Sequence, residues 1–186
     1  MTRNLPPLIN PGREIDTWIA SGAPGWAKFD KALPPTYRHI LGRRVADGAS
    51  VAVWGMLNPS IAGHNVDDPT VRRVIDFTRR IGKSITLVVN VSDFIATKSK
   101  QLIDKGAPVS PLWAAYVIAA VQRADIVICG WGANGAKLGA RVAEFLRVVR
   151  THFAGPLHCM RLTDKTRQPA HPLMLPSTLV PVVYLA

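Results

Sequence analysis

Three polar side chains recur at the same kind of place along this chain. Asn58 follows the apolar run 51–57, Asn90 follows Leu87-Val88-Val89, and His171 follows the polar loop 163–168. A carboxamide donates and accepts hydrogen bonds without carrying charge, so Asn58 could orient a water and Asn90 could read the edge of a base. A histidine nearby could donate to negative charge that develops in a reaction. Each has a plainer reading. An Asn that ends a strand often bonds its own backbone in a turn. A lone histidine is more often structural.

A fourth motif, Gly130-Trp131-Gly132-Ala133-Asn134-Gly135, matches G-x-G-x-x-G after an apolar run and before a helical one. That is the context of a dinucleotide site. The acidic residue expected about 20 positions further on is missing, however, because that stretch ends at Arg150 and Thr151. A tight, closely packed strand-to-helix turn is the favoured reading, although its backbone N–H groups could still hold a phosphate. Asp68 is placed as a helix N-cap before Pro69, which leaves Asp67 as a polar site candidate. His39, His64, His152 and His158 lack metal-ligand spacing, and no H-E-x-x-H, Walker A or G-x-S-x-G motif is present. No metal and no cofactor is expected.

These residues form one site only if the elements bring them together. Ligands of an open α/β sheet bind at the carboxyl ends of its strands. The runs 51–57, 85–91, 125–129 and 157–163 read as central strands; if parallel, they gather Asn58, Asn90, residues 130–132 and the approach to His171 in one crevice. Helices are expected over 69–81, 110–122 and 134–150. The first carries a stripe of Val71, Val74, Ile75, Thr78 and Ile81, and the last one of Leu138, Val142, Phe145 and Val149. Residues 37–44 read as a first strand, antiparallel and at an edge, and 180–185 as a short last one. The alternation predicts a three-layer α/β/α sandwich with a central, mostly parallel sheet of four to five strands. Residues 1–36, rich in Pro and Gly and helical only near 13–20, read as an extension wrapped on a single domain of residues 37–186.

The bulk properties narrow the class. A hydrophobic content of 48% argues against disorder, and the apolar stretch 112–121 is too short to span a bilayer. Residues 1–7 lack the apolar core of a signal peptide. The cysteines, Cys129 and Cys159, sit inside strand-like runs and suggest no disulfide scaffold, so a reducing cytoplasm is the expected compartment. Lys and Arg number 23 against 12 Asp and Glu, a net charge of +11. That excess points to a polyanion, nucleic acid above all, with a merely solvated basic surface as the alternative.

Leu57-Asn58-Pro59-Ser60, the run from Val66-Asp67-Asp68-Pro69 to Arg72-Arg73, Val89-Asn90, Ala96-Thr97, Trp131-Gly132 and Gln168-Pro169-Ala170-His171-Pro172-Leu173 together resemble an uncharacterised bacterial and phage domain family of unknown function. Gly63, Ile95 and Ala170 stand where that family's pattern has Asp, Arg and Arg. A more distant resemblance is to the uracil-DNA glycosylase superfamily. Gly55-Met56-Leu57-Asn58-Pro59 is similar to its G-x-N-P motif with one residue more, and His171-Pro172-Leu173 to its H-P-S with Leu for Ser.

That likeness implies a uracil-DNA-glycosylase-like fold, with Asn58 holding the attacking water, Asn90 reading a flipped base and His171 stabilising the departing one. Phe94 or Trp131 would stack on the base. Leu173 or Met174 would fill the gap in the duplex, and Ser60, Asp67 and Gly132 would complete the pocket. Arg72, Arg73, Lys165 and Arg167 would hold phosphates. The expected activity is hydrolysis of the N-glycosidic bond of a modified or damaged base, with DNA as the partner. A non-catalytic binder of nucleic acid or of a modified nucleotide is the alternative, and an enzyme acting on free nucleotides a third possibility. No membrane and no obligate protein partner is inferred.

Overall fold

A computed structural model describes residues 9–185 of the chain. The signal-peptide reading of residues 1–7 falls outside them, as does the end of the predicted domain at 186. In chain order the elements are α1 (Pro11–Ser21), β1 (Gly25–Phe29), β2 (Arg38–Arg44), β3 (Val51–Met56), α2 (Pro69–Arg80), β4 (Ile85–Asn90), α3 (Ser99–Asp104), α4 (Trp113–Val121), β5 (Ile126–Cys129), α5 (Gly139–His152), β6 (Leu157–Cys159) and β7 (Val182–Leu185). Two 3₁₀ turns, Ala133–Leu138 and Pro172–Met174, complete the set.

The strands form a seven-stranded sheet in the order β1-β2-β4-β3-β5-β6-β7. The middle four are parallel, and β1, β2 and β7 are antiparallel to their neighbours. Every residue of β3 and β4 is buried. Their apolar, β-branched runs suit strands covered on both faces. One face packs Val53, Leu87 and Val127 against α1, α4 and α5. The other packs Trp54, Val88 and Ile128 against Val71, Val74 and Phe77 of α2. The helix α2 starts where Asp68 accepts the Val71 N–H at 2.8 Å, with Pro69 as its first residue.

The sheet is wider than the predicted four to five strands. The segment expected as an extension supplies α1, whose Ile15 and Trp18 are buried, and the edge strand β1. Among Pro and Gly, and with only Ala27 fully buried, β1 lacks the alternation that marks a strand in sequence. Because β1 covers it, β2 is an inner strand and not the edge. β6 stops at Cys159, short of Thr163. Its apolar continuation pairs Leu162 with Pro169 instead of the sheet, making the loop that leads to His171. α4 begins at Trp113, not Ser110, because the Ser110 N–H and hydroxyl are both held by the Asp93 carboxylate. The helix expected over 134–150 is a 3₁₀ turn followed by α5, with the expected stripe of Leu138, Val142, Phe145 and Val149 buried.

Candidate functional site

At the carboxyl ends of β3, β4 and β5 lies a crevice of about 460 Å³, a size suited to a small organic ligand. Asn58, Asn90, Trp131, Gly132 and His171 all line it, with Ser60 and Leu173 beside them. The four strand-end motifs therefore meet. They do so because the three strands run parallel, while the loop beyond β6 turns back to deliver His171. That loop is held by Ala170 N–H to the Arg161 carbonyl at 2.7 Å and Gly132 N–H to the Pro169 carbonyl at 2.8 Å.

Asn90 is the most telling of these residues. It is 1% exposed. Its backbone carbonyl is fixed by Trp113 Nε1 at 2.7 Å. Its side-chain Nδ2 and Oδ1 have no hydrogen-bond partner among the described residues. Leaving a buried polar group unpaired costs about 1–3 kcal/mol, and such groups are rare in folded proteins. A carboxamide left open in this way, in the wall of a crevice, is arranged for something that enters it.

Asn58 is half engaged. Its Nδ2 donates to the carbonyls of Pro59 at 2.8 Å and Ala96 at 2.7 Å. Two carbonyl partners can only accept, so they settle which end of the amide is nitrogen. Oδ1 is left as the acceptor, the atom a bound water would need.

His171 caps its own 3₁₀ turn: Nδ1 accepts from the Leu173 N–H at 3.4 Å. A backbone N–H only donates, so Nδ1 is unprotonated and the ring proton sits on Nε2. Burial holds the His171 pKa below the ordinary histidine value, with Asp68 pulling it weakly back up. The ring is thus a neutral donor. Asp68 is the one acidic residue lining the crevice among the described residues, and its Oδ1 caps α2.

The sequence reading missed Arg38. It is 3% exposed and is the single Lys or Arg lining the crevice among the described residues. In a regular strand, Arg38 and Ile40 would share a face. The pairing of β1 with β2 instead slips between Lys28 and Phe29, which oppose Ile40 and Arg38. This bulge puts His39 and Ile40 together on the α1 and α4 face, where His39 stacks on Tyr116 at 5.1 Å and bonds Asp93 at 2.8 Å. Arg38 is turned to the opposite face. There its Nη1 donates to the Ala62 carbonyl at 2.7 Å, while Nε has no partner among the described residues. Bulges re-aim side chains in this way beside functional sites. The available signal was an arginine in a run, Arg38-His39-Ile40-Leu41, that otherwise buries itself.

Several expected site residues lie elsewhere. Asp67 forms an ion pair with Arg43 at 2.7 Å and does not line the crevice. Arg43 also bonds the Gly63 and Val66 carbonyls, so Asp67 helps to fasten the loop before α2 to β2. Phe94 is edge-on to Tyr37 at 5.9 Å, under the Lys105 ammonium, and is also outside the crevice lining. Trp131 does line the crevice, but its ring is held in the core. Its ring meets Phe145 and Tyr184, both at 6.0 Å, and its Nε1 bonds Gln168.

Arg73 lies 4.9 Å over the Phe77 ring and donates to the Leu175 carbonyl, tying the His171 turn to α2. That bond occupies one nitrogen, while Nε has no partner among the described residues. Arg72 is exposed and donates to the Asp67 carbonyl at 2.6 Å, and Lys165 and Arg167 lie exposed on the loop before His171. The glycine motif is a packing device. A β-carbon on Gly135 would meet the Trp131 ring at 2.2 Å, and one on Gly130 would meet Pro172 at 3.2 Å. Among the described residues, no three His, Cys, Asp or Glu side chains converge into a metal-holding group. No described helix is long and apolar enough to cross a membrane.

Fold and crevice define a class: a mixed α/β protein whose polar side chains gather at the ends of parallel central strands. The chain belongs to the family described as "Protein of unknown function (DUF1643)", which matches residues 38–173. That match begins at Arg38 and ends at Leu173, so it includes the crevice. No curated protein and no solved structure matches the chain.

Proposed function

We propose that this protein is a glycosylase-like enzyme that hydrolyses the N-glycosidic bond of a modified or damaged base in nucleic acid, DNA above all. The observation that carries the reading is Asn90, a fully buried carboxamide in the wall of the crevice that Asn58 and His171 also line, with neither polar atom hydrogen-bonded among the described residues. A nucleobase edge offers the donors and acceptors that such a group lacks. The arrangement of Asn and His-Pro motifs at strand ends is what the likeness to the uracil-DNA glycosylase superfamily implies.

The chemistry follows from the same atoms. As the C1′–N bond breaks, its electron pair leaves with the base and the sugar becomes cation-like. A water held by Asn58 Oδ1 adds to C1′, and its proton passes to solvent. The only carboxylate lining the crevice among the described residues is Asp68, whose Oδ1 caps α2. His171 Nε2–H donates to the base as negative charge gathers there. The base must first leave its stack, at a cost of a few kcal/mol. Leu173 and Met174, 42% and 82% exposed beside the crevice, are the apolar wedge that would fill its place. The net charge of +11 supplies the attraction to phosphates.

Incubating the protein with duplex and single-stranded DNA carrying a panel of modified bases, then treating with alkali, tests this directly. Strand breaks at the modified position are the expected result. The enzymatic reading fails if no base is released at any excess of protein. The engagement of the Asn58 Nδ2 by two carbonyls favours a second reading, a non-catalytic binder using the same crevice. It predicts binding that weakens steeply with salt and yields no product.

A further inference from the structure

The crevice holds one buried positive charge. Arg38 is aimed into it by a β-bulge, has an unpaired Nε, and forms no ion pair within 4.0 Å among the described residues. Asp68, whose Oδ1 caps α2, acts on it electrostatically without making an ion pair. Buried charges are normally paired, because leaving one alone in a low-dielectric interior is costly. Burial also pulls the Arg38 pKa down, to about 10, which leaves the group charged at neutral pH. Against that charge stand a single carbonyl partner and an unpaired Nε–H. Asn90 emerges from the neighbouring strand β4 into the same crevice, with its own donor and acceptor open.

We propose that Arg38 and Asn90 form a grip that receives negative charge from the departing base. Arg38 donates to the carbonyl oxygen of the base on which the charge of the broken C1′–N bond collects, and Asn90 bonds the ring atom beside it. The electron pair stays on the base, and the guanidinium keeps its proton. His171, a neutral donor, then assists a charge that Arg38 chiefly balances. The site takes a ring that presents an oxygen there. An exocyclic amino group facing Arg38 would leave N–H against N–H, with both unpaired. This rests on the base-excision reading, and its test is independent of turnover.

The probes are free rings of matched shape, titrated by calorimetry into the full chain in slightly alkaline buffer. One pair is 5-nitrouracil, an anion there, and thymine, which is neutral; the other is the xanthine anion and neutral hypoxanthine. The wild type should bind the anionic member of at least one pair about tenfold to a hundredfold more tightly, the range for a hydrogen bond to a charged group. Arg38→Gln should bind both members alike, and Arg38→Lys should keep part of the preference. Should Arg38→Gln fail to fold, Asn90→Asp adds a carboxylate to the same crevice and should abolish the preference in a folded protein.

The proposal is overturned if wild type binds charged and neutral rings equally, if no ring binds, or if either Arg38→Gln or Asn90→Asp keeps the preference. It is also overturned if inorganic phosphate binds as tightly as the anionic rings with the same dependence on Arg38, since the charge would then grip phosphate. Base release from DNA without anion preference removes the grip and leaves the excision reading. Anion preference without base release removes the excision reading and leaves the grip.

Discussion

Gly132 is pressed against His171: a β-carbon at Gly132 would lie 3.2 Å from the His171 β-carbon, and the Gly132 φ is +76°. The backbone of one strand-end motif is thus the wall that seats the histidine of another. Gly132→Ala brings both a strained φ and a displaced imidazole. It should destabilise the fold by about 1–3 kcal/mol and reduce base release by a larger factor than it weakens DNA binding. Denaturant unfolding alongside single-turnover release measures both.

Asn58→Ala removes the acceptor assigned to the attacking water and two hydrogen bonds that pin the strand exit. Base release should fall by about 100-fold or more, the scale for losing one well-placed polar group. Affinity for the same DNA should change by less than about threefold, because Asn58 contributes no phosphate contact. Fluorescence anisotropy against gel-resolved cleavage separates the effects. A parallel loss of affinity would mean that Asn58 acts only by holding the crevice open.

Asn90→Leu replaces an unpaired buried carboxamide with an apolar group of similar volume. The folded protein should gain about 1–3 kcal/mol, seen as a raised denaturation midpoint with an unchanged slope, while base release is lost. Higher stability with lost function is what a polar group kept for a ligand predicts. A lower midpoint would show that Asn90 is satisfied in solution.

The His171 pKa lies below its ordinary value of 6.5 in the folded protein, mainly through burial. The unfolded chain then binds more protons than the native one between the two values, so stability rises with pH across that interval. His171 should contribute its full share above about pH 6.5 and lose it as pH falls toward the folded pKa. His171→Gln should flatten that part of the stability profile, measured by denaturant melts across pH. An unchanged slope would place the titrating group elsewhere.

Much of this protein is legible before any tertiary contact is known. Apolar runs closed by Asn58-Pro59, by Asn90 and by Gly130-Trp131-Gly132 locate β3, β4 and β5 and put those residues at their ends. Asp68 followed by Pro69 marks the start of α2. These signals are local: backbone geometry, periodicity and capping act over a few residues. The tertiary structure decided which polar groups are free. Asp67 was claimed by Arg43, 24 positions away, Arg73 by the Leu175 carbonyl, and the Trp131 ring by Phe145 and Tyr184. Arg38 reached the crevice only because β1, a strand without a readable pattern, pairs with β2 through a bulge. A side chain's chemistry is written in its residue type. Its availability depends on competition for partners across the whole chain, and only packing resolves that.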